Sequence, residues 1–156
     1  MSLEPEIQPQ PARQNDPNAL PPNGAGAVQK GNVLLLDDDK FLVDMYCMKF
    51  TKAGYTIEAC LGVDDALQVL KNGFQADAIV FDIVMPEHDG FYFLETLKNE
   101  KLGGRAALIA LTNESDEAQK AHAIELGANR VVVKATMIPS EVVSTVAEEI
   151  KKKKER

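Results

Sequence analysis

The chain has 156 residues, a formal net charge of −7, two cysteines and 45% apolar residues, which suits one domain of ordinary size. So acidic a balance argues against a nucleic-acid-binding domain, which presents a basic face, and Cys47 and Cys60 have no metal-type spacing. The longest apolar run, Ala106 to Leu111, is far short of the roughly 20 residues that span a bilayer, and Met1-Ser2-Leu3-Glu4 lacks the basic and apolar regions of a signal peptide. These features lead us to expect a soluble, cytoplasmic protein.

In chain order, residues 1–30 come first and hold six of the eight prolines with almost no β-branched or aromatic residues. Such a stretch buries too little apolar surface to offset its ordering entropy, so a disordered Pro-rich tail is expected. It carries −1 and the basic end, 151–156, carries +4, so the expected folded domain, 31–150, carries −10. Lys151 to Lys154 could form a basic patch; the simpler reading is a solvated helix end whose lysines complement the helix dipole.

Within the domain, Val33 to Leu36 reads as a buried strand running into Asp37-Asp38-Asp39. Phe41, Leu42, Met45 and Met48 recur at helical spacing, closed by Gly54. A second strand over 55–60 precedes a helix marked by Ala66, Leu67 and Leu70, which Gly73 stops. Ala78 to Phe81 leads to Asp82 and the loop from Ile83 to Gly90, then to a helix through Phe91, Leu94 and Leu97. Ala107 to Leu111 ends in Thr112, a helix covers Ala118 to Leu126, and Val131 to Val133 ends in Lys134. Pro139 opens a last helix with Val142, Val143, Val146 and Ile150 inward.

Five strands alternating with five helices form a βα repeat, which demands a parallel sheet. The expected class is α/β, a flavodoxin-like doubly wound five-stranded sheet in the order 2-1-3-4-5, the order resting on fold analogy. Functional groups collect at the carboxyl ends of such strands. The acids after the first strand, the Asp82 carboxylate, the Thr112 hydroxyl and the Lys134 ammonium then converge on one edge. That combination suits a divalent cation and a phosphoryl group.

The four strand-end pieces are Leu-Leu-Leu-Asp37-Asp38-Asp39, Ile-Val-Phe-Asp82-Ile-Val-Met-Pro86-Glu-His-Asp-Gly90, Ala-Leu-Thr112-Asn and Val-Val-Val-Lys134. In this order the chain resembles a response-regulator receiver domain over its expected folded length. The resemblance implies a stand-alone phosphoacceptor switch of a two-component phosphorelay, with Asp82 as acceptor and Thr112 and Lys134 contacting the phosphoryl oxygens. It implies Mg²⁺ held by Asp38, Asp82 and the backbone carbonyl of Val84, with Asp37 in support. Asp39 is the one of the three acids expected to serve only as a helix cap. The implied partners are a sensor histidine kinase or histidine phosphotransfer protein and a downstream protein effector, with no DNA-binding domain and no membrane. Val84 and Glu114 occupy the positions that flank the path of a hydrolytic water in this family.

Two positions depart from the family's pattern: Ala135 stands where proline usually follows the lysine, and Val131 where an aromatic is frequent. Two rival readings exist. One is a phosphatase of the haloacid-dehalogenase type, for which Asp37-x-Asp39 fits superficially, although Phe41 stands where threonine is needed. The other is an adaptor with this fold that is never phosphorylated. His88 and His122 lack partners at metal spacing and read as surface residues.

Overall fold

The computed structural model describes residues 29–113 and 115–155. The expected disordered tail lies outside them except for its last two residues, as do Glu114 and Arg156. The elements are β1 (Gly31–Leu36), α1 (Lys40–Lys52), β2 (Tyr55–Cys60), α2 (Val63–Lys71), β3 (Ala78–Asp82), α3 (Gly90–Asn99), β4 (Ala107–Thr112), α4 (Glu117–Glu125), β5 (Arg130–Val133) and α5 (Pro139–Lys154). All strand pairs are parallel and the order is β2-β1-β3-β4-β5, as expected. Among the described residues no helix is long and apolar enough to cross a membrane.

The three central strands are apolar on both faces because helices cover both. Val33 and Leu35 point with Val80 and Ile109 into a core shared with Tyr46 and Phe50 of α1 and Val142 and Val146 of α5. Leu34 and Leu36 point the other way, with Ile79 and Phe81, toward Leu67 of α2, Phe93 and Leu94 of α3 and Ala123 of α4. The period of two along each strand thus builds two cores from one sheet.

The inward face of α1 differs from the expectation. Its buried residues are Val43, Tyr46 and Phe50, whereas Phe41 is 72% and Met48 62% exposed. Apolar side chains at 41–43, 45–48 and 50 surround more than half of this helix, so periodicity alone does not select a stripe. Packing selects it: Phe50 meets Tyr55 of β2 edge-on with ring centroids 5.7 Å apart. The loop after Lys134 takes one 3-10 turn, Lys134–Thr136, and α5 then starts on Pro139, with Glu141 Oε1 accepting the Ile138 N–H at 3.0 Å.

Register sets the functional edge. Leu36 lies beside Phe81, Asp82 beside Leu111, and Thr112 beside Val133. Asp37, Asp82, Thr112 and Lys134 are therefore neighbours at the carboxyl ends of four adjacent strands.

Candidate functional site

Each acid after β1 has a different task. Asp37 is fully buried; its N–H donates to the Cys60 carbonyl at 3.2 Å, and its Oδ1 accepts the Asp39 N–H at 2.9 Å. Asp39 is the N-cap of α1, accepting from the N–H groups of Phe41 and Leu42 at 3.0 and 3.3 Å. Asp38, left exposed between them, brings a carboxylate oxygen within 4.8 Å of oxygens on Asp37 and Asp82.

Asp82 closes β3 at the centre of this edge. Its Oδ1 accepts the Val84 N–H at 3.2 Å and its Oδ2 takes Lys134 Nζ at 3.1 Å. Burial pushes its pKa up, opposed by the Lys134 charge and reinforced by Asp37. Lys134 also lies 2.9 Å from Asp37 Oδ2. Burial alone would lower the lysine pKa, but the adjacent Asp37 and Asp82 carboxylates raise it overall. The Lys134–Asp37 contact is short yet poorly angled, so the buried Asp37 Oδ2 has charge compensation without an aligned donor. Three carboxylates against one ammonium, with one buried oxygen incompletely satisfied, fit a hard divalent cation that takes oxygen ligands.

The loop from Ile83 to Asp89 is tied down at both ends. The Ile83 N–H donates to Leu111 O at 2.9 Å, and the Gly90 N–H donates back to Ile83 O at 2.7 Å. A Cβ on Gly90 would stand 2.8 Å from Asp82 O and Ile83 Cα, which only glycine avoids. Met85 is buried, Val84 is 54% exposed, and Asp89 caps α3 by accepting the Tyr92 N–H at 2.9 Å.

Thr112 is buried at the end of β4, and its hydroxyl donates to Gln119 Oε1 at 3.3 Å. The sequence reading missed Gln119. Asp116 is the N-cap of α4 and Gln119 stands three residues on, the spacing of a capping box, and that spacing is the one signal that could have drawn attention to it. It also missed Tyr46, a buried α1 phenol whose pKa rises through burial and which feels the charges of Lys134, Asp37 and Asp82. His88 stacks on Tyr92 at 4.0 Å and lies 3.9 Å from Asp64, while His122 meets Phe91 at 4.5 Å and lies 3.7 Å from Glu125. Val131, where an aromatic was absent from the pattern, is half-buried against the α2–α4 side core.

The chain matches the response regulator receiver domain family over residues 33–147. The response regulator SaeR of Staphylococcus aureus (strain USA300) is 31% identical over 103 residues, which are 66% of this chain and 43% of that protein. The chain thus spans less than half the length of that relative. A solved response regulator from Chloroflexus aurantiacus J-10-fl is 26% identical with a TM-score of 0.70, over 78% of this chain and 98% of that one. A CheY-like receiver domain protein from Methanospirillum hungatei JF-1 superposes with a TM-score of 0.72 over 80% and 96% of the two chains; at 20% identity it speaks to fold alone.

Proposed function

The chain belongs to the response regulator receiver-domain family of two-component signalling, and from that premise we propose that Asp82 accepts a phosphoryl group from a histidine kinase or histidine phosphotransfer protein. The observation that carries the reading is the position of Lys134 Nζ, 2.9 Å from Asp37 and 3.1 Å from Asp82, at the strand edge that also holds Thr112. An Asp82 oxygen forms the new O–P bond as the donor N–P bond breaks, and the imidazole nitrogen leaves with the electron pair. Lys134 offsets charge on the carboxylate and on the transferred oxygens. Thr112 supplies a hydroxyl that can donate to one of those oxygens.

Asp38 and Asp82, with the Val84 carbonyl and with Asp37 in support, would hold Mg²⁺. The ion supplies charge neutralisation that lets an anionic donor approach three carboxylates. The haloacid-dehalogenase reading falls with the family match, and also because Asp39 is spent on capping α1. The reading further places the chain in the cytoplasm, changing a protein-binding face on phosphorylation, with residues 31–150 as the responding domain.

Intact-mass measurement after incubation with acetyl phosphate and Mg²⁺ tests this. We expect one phosphoryl adduct on the wild type, none on Asp82→Asn, and none in excess chelator. Asp38→Ala should lose Mg²⁺ binding. An adduct of equal yield on Asp82→Asn, or one formed fully without metal, would refute the assignment.

A further inference from the structure

Resting on the phosphoacceptor reading above, we infer that Gln119 is a latch that holds the Thr112 hydroxyl toward α4 until a phosphoryl group on Asp82 competes for it. Gln119 is thus a positioning residue, acting on the phosphoryl site through Thr112. The starting observation is the Thr112 Oγ1 to Gln119 Oε1 bond at 3.3 Å, between a buried strand end and the first turn of a helix. A capping-box residue at this position would turn its side chain back to the cap's own N–H; here its carbonyl takes the hydroxyl instead.

Two further features give the bond its weight. The backbone of Gln119 is itself fixed, because its N–H donates to Asp116 Oδ1 at 3.1 Å. A change at Thr112 can therefore reach the start of α4 through the Gln119 side chain. At 3.3 Å the bond is also longer than the usual 2.5–3.0 Å of hydroxyl–oxygen pairs, so an anionic phosphoryl oxygen, a stronger acceptor, can displace it. With a valine rather than an aromatic at 131, this link couples the strand end to α4 without a swinging ring.

The latch lowers the fraction of molecules whose Thr112 is ready for the phosphoryl group, and apparent affinity falls in proportion to that fraction. The test uses beryllofluoride, a phosphoryl mimic that binds without transfer, titrated into the full chain with Mg²⁺ and followed by fluorine NMR. Gln119→Leu removes the acceptor and should lower the half-saturating concentration by roughly three- to tenfold, the range of one modest hydrogen bond. Gln119→Glu offers a stronger, charged acceptor and should raise it. Loss of helix stability would move both variants the same way.

In a Thr112→Val background neither change at 119 should matter, whereas a plain charge effect of the glutamate would persist. No fall with Gln119→Leu, or effects that survive Thr112→Val, would overturn the latch. Failure of the wild type to bind the mimic, or to take a phosphoryl group from acetyl phosphate, would instead overturn the function on which the latch rests.

Discussion

Burial is the main force on Asp82, raising its pKa above the ordinary value of 3.8 despite the opposing Lys134 charge. The sign of the stability effect follows. Between 3.8 and the raised folded value, the unfolded chain has released the proton and the folded chain still holds it, so stability falls as pH rises through that window. Above that window the cost is fully present. Without metal, Asp82→Asn should therefore melt above the wild type at pH 7, and the advantage should shrink toward pH 3.8. A thermal scan across pH checks this; a variant melting lower at neutral pH contradicts it. Val84 poses a different question, because its N–H is tied to Asp82 while its side chain is 54% exposed. An apolar group there cannot orient a water, so we expect Val84→Asn to shorten the lifetime of phosphorylated Asp82. Decay measured after donor removal decides it, and an unchanged or longer lifetime refutes the expectation.

At the scale of elements, α1 separates what the sequence makes legible from what it does not. Strands whose apolar runs stop on a polar residue announce both their burial and their ends, and Asp37, Asp82, Thr112 and Lys134 were all found that way. The inward stripe of α1 was not, because apolar residues surround more than half of it and tertiary packing, including the Phe50–Tyr55 contact, decides between stripes. The Thr112–Gln119 bond was hidden for a related reason: it joins a strand end to a helix across a loop, and no local pattern encodes that pairing. The α1 assignment has a direct check. Phe50→Ala should destabilise by about 3–5 kcal/mol, as for a fully buried ring. Phe41→Ala should stay within about 0.5 kcal/mol of wild type, as for a surface site. Denaturant titration of both variants measures the contrast, and equal losses would mean that α1 sits differently on the sheet.

Across the whole molecule, residues 1–28 have no apolar periodicity with which to pack on the domain. Their deletion should leave phosphorylation intact and change the melting temperature by no more than a few degrees, about 1 kcal/mol for a domain of this size. A larger drop would show that the tail contributes to stability. The two loops that flank Asp82 are fastened very differently. On one side Gly90 lies so close to the end of β3 that no side chain fits between them, and its N–H is bonded back to Ile83, so α3 is clamped to the acceptor strand. On the other side, the Thr112 hydroxyl donates to Gln119 in the first turn of α4 over a longer 3.3 Å. On the latch reading the site resembles a vice with one fixed jaw: a new group on Asp82 would meet an anchored α3, and we expect the displacement to run toward α4.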